Sequence, residues 1–334
     1  GTAGVGRSFI ENKLYAEGLP AKYYYITPCY RYEKMQKGRQ REFHQFGIEV
    51  FGSDKMMADA EVIQLAYDFL TSVGIDDAQL HINSIGCPKC RGDYRKALQD
   101  HLRPNYEKLC DTCKSRFERN PMRILDCKSP ECKSYTQGAP HMLDYLCEDC
   151  KRSFEELKDL LDTCGVPYKV DPGIVRGLDY YTKTAFEFIT TKIGAQGTVC
   201  GGGRYDHLIE EVGGPDMPGV GFGLGKERLL LLMEACCHDF GAAPAPQIFL
   251  AWIGDDAKLY ALKLLHELRG KGIRADMDTR ERNLKGQMKY ANKLGAAYTA
   301  VIGSDEVASG EITLKNMSTS EQTKVRREDL ADAL

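Results

Sequence analysis

Cysteines constrain this sequence more than any other residue type. Eight of its thirteen cysteines lie between residues 87 and 150, where they form four closely spaced pairs. We find no secretory signal and expect a reducing, cytoplasmic location, in which such clusters bind metal more often than they form disulfides. The eight are Cys87, Cys90, Cys110, Cys113, Cys127, Cys132, Cys147 and Cys150.

This pattern predicts metal binding. Two pairs supply the four thiolates that Zn²⁺ prefers, so the eight cysteines predict two structural zinc sites. The four pairs can be combined in three ways, and the spacing favours none of them. Free buried thiols, disulfides or an iron–sulfur cluster are the alternatives. The other cysteines are expected to be core thiols: Cys29, Cys164, Cys200, Cys236 and Cys237.

The cysteine-rich segment interrupts two stretches rich in glycine, aromatic and β-branched residues. Hairpin-like strands at 23–27 and 43–51, with few crossover helices, predict a largely antiparallel sheet. Strand-length and helix-length segments then alternate after a hinge at Pro244-Ala245-Pro246, as in a small α/β domain. We therefore expect a discontinuous core at 1–85 and 169–243, an insertion at 86–168, and a further domain at 246–334.

Residues 43–50 alternate as a half-buried strand does. One face should pack under a helix: His44, Phe46, Ile48 and Val50. The opposite face combines an aromatic ring, an amide, a glycine that leaves room, and a carboxylate: Phe43, Gln45, Gly47 and Glu49. Such a face suits a small polar cationic ligand, and an ordinary exposed sheet face is the alternative.

Basic and glycine-rich segments surround this strand. Residues 31–41 hold five basic residues and one acid, although the whole chain carries a net charge of -3. Arginines there suit a polyphosphate or a nucleic-acid end, and a solvated charged turn is the alternative. Three successive glycines at 201–203 indicate a close approach to the backbone, by a ligand or by a packed strand. Glycines alternate again from 219 to 225, before a leucine-rich helix with Arg228 in its first turn.

Taken in order, these segments resemble the signatures of one family. Residues 31–51 resemble motif 2 of class II aminoacyl-tRNA synthetases, and 219–229 resemble motif 3. Residues 176–182 and 201–206 resemble the two signatures of histidyl-tRNA synthetases. The resemblance implies an α+β class II core, mainly antiparallel sheet with flanking helices, and a C-terminal α/β anticodon-binding domain. It also implies an ATP- and Mg²⁺-dependent ligase that activates L-histidine as histidyl-adenylate and transfers it to tRNA(His).

The resemblance also implies roles for individual residues. The implied catalytic arginines are Arg31, Arg176 and Arg228. The implied histidine-binding residues are Gly1, Thr2, Arg31, Gln45, Glu49, Arg176, Tyr180, Tyr181 and Tyr205. Within that set, Glu49 and Tyr181 would hold the two imidazole nitrogens. The implied ATP-binding residues are Arg31, Glu33, Phe43, Gly225 and Arg228.

Class II enzymes carry a motif 1 at their dimer interface, and we find none ahead of Gly1. We therefore expect an N-terminally truncated sequence with impaired activity and dimerisation, and a homodimer in the full-length protein. The insertion and the C-terminal domain are expected to contact tRNA, the latter through a helix that carries Lys285, Lys289 and Lys293 on one face. No segment is apolar over the length of a membrane span. A non-catalytic, histidine-sensing regulatory paralogue is the alternative function, and a zinc-dependent RNA-binding module would leave the glycine-rich strand unexplained.

Overall fold

A computed structural model describes residues 1–32, 34–36, 38–127, 129–175, 180–193, 197–241 and 243–334. Two compact units, Gly1–Asp239 and Phe240–Leu334, make up the chain. Across these described ranges, every helix is too short or too polar to cross a membrane.

The first unit is built on a seven-stranded sheet. Its strands run in the order β1-β2-β7-β6-β5-β3-β4, and all neighbours pair antiparallel except β3 and β4. The antiparallel sheet expected from the hairpin-like strands is confirmed. The strands are β1 Ala21–Tyr30, β2 Glu42–Phe51, β3 Gln79–Ser84, β4 Tyr168–Val170, β5 Thr182–Ile189, β6 Thr198–Arg204 and β7 Gly219–Gly225.

Helices cover this sheet and form the insertion. The α-helices are α1 Thr2–Glu11, α2 Met56–Ser72, α3 Pro88–Leu102, α4 Asp111–Arg119, α5 Pro130–Tyr135, α6 Glu148–Thr163, α7 Leu208–Glu211 and α8 Lys226–Ala235. Short 3₁₀ helices occupy Leu14–Glu17, Arg103–Lys108, Pro121–Ile124 and Met142–Tyr145.

The main core lies between the sheet and α2. Phe46 and Ile48 pack against it from β2, as the alternation of that strand predicts, and the Phe46 and Phe69 ring centroids are 5.4 Å apart. Helix α6, the last helix of the insertion, packs its apolar face into the same core through Leu157 and Leu161. Each fully buried aliphatic side chain of this kind contributes about 1.5–3 kcal/mol.

A buried ion pair fixes the end of β6 to α2. Arg204 Nε donates to both carboxylate oxygens of Asp59, at 3.2 and 3.1 Å, and both side chains are fully buried. The glycines before Arg204 serve strand packing in part, because a Cβ at Gly202 would lie 2.2 Å from the Gly221 carbonyl oxygen. Of the two explanations for that glycine run, close strand packing accounts for Gly202.

The second unit is the small α/β fold expected after the hinge. Its sheet order is β12-β11-β10-β8-β9, in which β9, β8 and β10 are parallel, and β11 and β12 add an antiparallel edge that the sequence analysis did not foresee. The exposed Lys285, Lys289 and Lys293 share one helix. The elements are β8 Ile248–Trp252, α9 Asp255–Gly270, β9 Ala275–Met277, α10 Leu284–Lys293, β10 Tyr298–Ile302, α11 Ser304–Ser309, β11 Glu311–Asn316, β12 Gln322–Arg326 and a 3₁₀ turn at Arg327–Asp329.

Candidate active site

A cavity of about 500 Å³ opens on the core sheet beside the start of α1. Residues from the β1–β2 hairpin, β6, the segment before β5 and the β7–α8 junction complete its walls. Glu49 and Tyr205 lie beneath, fully buried, while Glu33 and Arg176 fall outside the described residues. Nine residues expected at the site line the cavity: Gly1, Thr2, Arg31, Phe43, Gln45, Tyr180, Tyr181, Gly225 and Arg228.

Glycines of β7 make room for the polar side chains of β2. A Cβ at Gly223 would lie 1.8 Å from Nε2 of Gln45, and a Cβ at Gly221 would lie 2.1 Å from Oε2 of Glu49. Both distances are far below van der Waals contact. Any larger residue at either position would therefore push the amide or the carboxylate off the sheet.

The expectation that Gly47 leaves room for a ligand is wrong, because the ring of Tyr25 occupies that space. A Cβ at Gly47 would lie 2.4 Å from the Tyr25 hydroxyl, and the two residues are register partners in the β1–β2 hairpin. Tyr25 is a neighbour of the site that the sequence analysis missed. An aromatic residue opposite a glycine in a hairpin indicates that the ring lies over the glycine. This pairing can be recognised only once the register of the two strands is known.

Glu49 is a buried carboxylate with half of its hydrogen bonding unfilled. The Tyr205 hydroxyl donates to Oε2, whereas Oε1 has no hydrogen-bond partner among the described residues. Burial raises the pKa of Glu49 to about 7, although the hydrogen bond from Tyr205 opposes the shift. The Tyr25 hydroxyl is likewise buried without a partner in the described part of the chain. Thr2 and Tyr25 nevertheless lie close enough to Glu49 to lower its pKa, so these polar groups face one another below the cavity floor.

Three tyrosines build an aromatic wall above Glu49. The ring centroids of Tyr180 and Tyr181 are 4.8 Å apart, and Tyr205 lies 5.8 and 6.3 Å from them. Burial raises the pKa of both Tyr180 and Tyr205, so these phenols remain protonated at neutral pH and act as hydrogen-bond donors. A wall of this kind suits a flat heteroaromatic ring that carries its own polar atoms.

Two arginines hold the opposite end of the cavity. The Arg31 guanidinium lies 4.3 Å from the centroid of the Phe43 ring, and its Nε donates to the Gln40 carbonyl at 3.0 Å. Arg228, in the first turn of α8, donates from Nη2 to the Gly38 carbonyl at 2.8 Å. It thereby ties the β1–β2 loop to α8 and places a second guanidinium in the same cavity. Two planar cations at one end suit phosphate oxygens.

Glu227 is a further cavity residue that the sequence analysis missed. It accepts hydrogen bonds from the backbone N–H of His44 at 2.9 Å and pairs with the His44 ring at 2.8 Å. Although burial opposes the shift, these hydrogen bonds lower the pKa of Glu227. The sequence gives one indication that Glu227 lies at the site, because Glu227 directly precedes Arg228 in the segment Gly-Lys-Glu-Arg.

The eight clustered cysteines gather into two groups of four. Within each group every Sγ lies within 4.8 Å of the others, and all thirteen cysteines, which fall within the described ranges, are free thiols. The Sγ–Sγ separation is 3.6 Å for Cys87–Cys90, 3.9 Å for Cys87–Cys147 and 3.9 Å for Cys110–Cys127. We call the first group, Cys87, Cys90, Cys147 and Cys150, the proximal tetrad, and the second, Cys110, Cys113, Cys127 and Cys132, the distal tetrad.

Comparison with known families agrees with this geometry. Residues 1–229 match the histidyl-tRNA synthetase family, and residues 247–334 match the anticodon binding domain family. The chain is 54% identical over 334 residues to the histidine–tRNA ligase of Caldanaerobacter subterraneus subsp. tengcongensis, spanning all of this chain and 80% of that protein. It is 51% identical over 335 residues to the histidine–tRNA ligase of Clostridioides difficile, with the same coverage.

Two solved structures share this fold. The crystal structure of apo S. aureus histidyl-tRNA synthetase is 40% identical, with a TM-score of 0.79 over 98% of this chain and 80% of that one. A protein described as an ATP phosphoribosyltransferase regulatory subunit/histidyl-tRNA synthetase, from Bacillus halodurans, is 22% identical, with a TM-score of 0.57 over 90% of this chain and 78% of that one, and shares the fold. The chain therefore belongs to the histidyl-tRNA synthetase family, and its activity is that of a histidine–tRNA ligase that joins histidine to tRNA at the expense of ATP.

Proposed function

We propose that the cavity of the first unit binds L-histidine and ATP together and is where histidyl-adenylate forms. The observation that carries this proposal is the buried carboxylate of Glu49, which lies beneath a cavity whose lining includes Tyr180, Tyr181 and two arginines. An imidazole N–H is a donor of the right size for that carboxylate. An analogue that cannot pair with this buried polar group would leave it without a hydrogen bond. Such an analogue would therefore bind more weakly than histidine.

The reaction needs alignment and positive charge rather than a protein nucleophile. An oxygen of the histidine carboxylate forms a bond to the α-phosphorus of ATP, the bond from that phosphorus to the α–β bridging oxygen breaks, and pyrophosphate leaves. Arg31 would hold the carboxylate and the α-phosphate, and Arg228 would hold the far phosphates. Fixed cations at the position where charge develops lower the barrier without reorganisation. The adenylate then acylates the terminal ribose of the tRNA.

Mg²⁺ fits this cavity through the phosphates of ATP. It prefers oxygen ligands and usually binds substrate phosphates with one or two carboxylates. Among the described lining residues Glu227 is the one carboxylate. His44 engages both oxygens of Glu227, so the phosphates of ATP would supply most ligands of a bound Mg²⁺, which would neutralise charge on the leaving pyrophosphate.

Both tetrads are proposed to hold structural Zn²⁺. Four sulfurs placed tetrahedrally at about 2.3 Å from zinc are about 3.8 Å apart. The Sγ separations of 3.6 to 3.9 Å support that geometry and favour one pairing of the four cysteine pairs over the other two.

The contacts with tRNA and with a second subunit are proposals as well. The exposed lysines of α10 support a phosphate-backbone contact by the second unit. Strand β1 lies at one end of the sheet order and exposes Tyr24, Ile26 and Tyr30 at alternate positions, which supports a homodimer contact along this strand. Sedimentation of the purified chain across a concentration range, compared with a Tyr24→Glu variant, tests the dimer. A monomer at all concentrations contradicts it.

Histidine-dependent ATP–pyrophosphate exchange tests the proposed site. A Glu49→Gln variant should raise the KM for histidine about 10- to 100-fold, as expected for losing a hydrogen bond to a charged group, and leave the KM for ATP within twofold. An Arg228→Lys variant should do the reverse. Glu17→Gln, at an exposed position, is the matched control. An unchanged histidine KM in the Glu49 variant would refute the assignment.

A further inference from the structure

One side chain connects the proximal tetrad to the wall of the cavity. Cys87 caps the N-terminus of α3, so Cys90 and Arg91 both lie in the first turn, where the Arg91 N–H donates to the Cys87 carbonyl at 3.1 Å. From this turn the Arg91 side chain reaches the core sheet. Its Nε donates to the Ile85 carbonyl at 3.1 Å, and its Nη2 donates to the carbonyl of Tyr181.

The backbone that receives this contact is not held by regular sheet pairing. Tyr181 directly precedes β5, and the β5–β6 register shifts between Thr182 and Ala185. Lys183, in between, has a positive φ of 45°. This backbone is held instead by the residues that follow β3. The Ile85 N–H donates to the Lys183 carbonyl at 2.8 Å, and the Lys183 N–H donates to the Gly86 carbonyl at 2.9 Å.

The end of β3 runs directly into the proximal tetrad. Gly86 precedes the first ligand, Cys87, and a Cβ at Gly86 would lie 2.9 Å from Cβ of Cys90. The backbone N–H of Cys147, at the start of α6, donates to Sγ of Cys90 at 3.0 Å. The tetrad thus joins the first turns of two helices, α3 with its Arg91 and α6, which packs into the main core.

Among the described residues, the distal tetrad has no comparable hydrogen-bonded connection to the core sheet. Its cysteines pack among residues of the insertion, such as Leu109 and Phe117. The backbone N–H of Cys110 donates to Sγ of Cys132 at 3.4 Å, and nearby Arg116 donates to the Arg123 carbonyl at 2.9 Å. These hydrogen bonds stay within the insertion, although Met122, between Cys113 and Cys127, packs against the apolar cluster that holds Tyr181. This tetrad therefore offers a control for the hydrogen-bonded connection through Arg91.

The geometry points to a coupling between metal and substrate: Zn²⁺ in the proximal tetrad holds Arg91 as a positioning residue for Tyr181, so metal binding at this tetrad raises the affinity for histidine. The distal tetrad lacks this effect. This inference rests on the proposed histidine site and on the proposed zinc in both tetrads. The physical basis is that metal ligation fixes the first turn of α3. A fixed turn holds the planar Arg91 guanidinium in position to donate hydrogen bonds to the Ile85 and Tyr181 carbonyls at the same time.

Calorimetric histidine binding to the full chain, combined with zinc analysis, tests the coupling. The wild-type chain should hold two Zn²⁺, and both Cys90→Ser and Cys113→Ser should hold one. Histidine affinity should fall about tenfold in Cys90→Ser and in Arg91→Lys, which corresponds to about 1.4 kcal/mol, and should stay within twofold in Cys113→Ser. The double variant Cys90→Ser/Arg91→Lys should lose no more than either single variant, because both changes break one connection.

Several outcomes overturn the coupling, and they can be told apart. Equal losses in Cys90→Ser and Cys113→Ser, or additive losses in the double variant, would show a general structural effect. Unchanged affinity in Arg91→Lys would remove Arg91 from the connection, and a wild-type chain without zinc would remove the metal. Near-ultraviolet circular dichroism establishes that each variant is folded. If the wild-type chain binds no histidine, the proposed histidine site itself fails, whatever the zinc content.

Discussion

The buried carboxylate of Glu49 should make the stability of the protein depend on pH in a direction opposite to that of most carboxylates. Most paired carboxylates have lowered pKa values and stabilise the folded state as pH rises. Glu49 is fully buried, has one unfilled oxygen, and has its pKa raised from 4.5 to about 7. Replacing it by glutamine removes the titration while keeping the shape of the side chain.

The size of the effect follows from the two pKa values. Below pH 4.5 the carboxyl is protonated in both the folded and the unfolded chain, so its titration contributes no difference. Between pH 4.5 and 7 the unfolded chain loses the proton and the folded chain keeps it, so the free energy of unfolding falls as pH rises. Above pH 7 the difference is constant. At about 1.4 kcal/mol for each pKa unit, the wild-type protein should lose about 2–3 kcal/mol relative to Glu49→Gln between pH 5 and pH 8.

Urea unfolding of both proteins across this pH range provides the measurement. The amide of glutamine has its own unmet hydrogen bonds, but that cost does not change with pH and cancels when the two pH values are compared. Glu17→Gln, at an exposed position, should follow the wild-type curve. If the wild type and Glu49→Gln keep the same difference within about 0.5 kcal/mol from pH 5 to 8, the raised pKa and the burial argument are wrong.

Three further predictions concern the sheet floor, the core and the second unit. Gly223→Ala should displace the Gln45 amide and raise the KM for histidine about tenfold in pyrophosphate exchange, whereas Gly4→Ala, which meets no atom within 4 Å, should have no effect; equal KM values would contradict this. Asp59→Asn leaves the buried Arg204 guanidinium without its charge partner and should cost about 3–5 kcal/mol in urea unfolding, and a loss below 1 kcal/mol would contradict it. A triple alanine variant of α10 should weaken tRNA charging and flatten its salt dependence while leaving pyrophosphate exchange unchanged, and an unchanged salt slope would exclude a phosphate contact by these residues: Lys285, Lys289 and Lys293.

Much of the fold could be predicted from local patterns. The alternation in residues 43–50 identified strand β2 and the face that packs under α2, because a period of two assigns side chains to faces without further information. The alternating elements after residue 246 identified the second unit for the same reason. The edge formed by β11 and β12 escaped prediction, since short polar strands at an edge carry little hydrophobic periodicity.

The site was harder to predict wherever it depends on pairing between distant segments. Tyr25 occupies the space above Gly47 because the hairpin register places them opposite one another, and nothing in either residue alone indicates this. The cysteines behave in the same way: the spacing predicts ligand pairs, but their combination depends on how α3 and α6 meet. That meeting places Cys87 beside Cys147 although sixty residues separate them along the chain.

Ligand binding gives one physical reason why the glycines, the buried carboxylate and the arginines occur together in this cavity. Glycines at 221 and 223 destabilise a strand, and an unfilled carboxylate oxygen next to a buried phenol destabilises the core further. Gly221 also serves strand packing, because a Cβ there would lie 2.2 Å from the Ile48 carbonyl oxygen. The room that Gly223 leaves and the unfilled acceptor have no such packing role. Both become favourable when a flat, hydrogen-bond-donating ring fills the site, because binding then satisfies groups that the protein left unpaired. At the proposed histidine site this local cost in stability would be the physical source of selectivity for histidine, and Glu49→Gln should therefore weaken recognition of the imidazole.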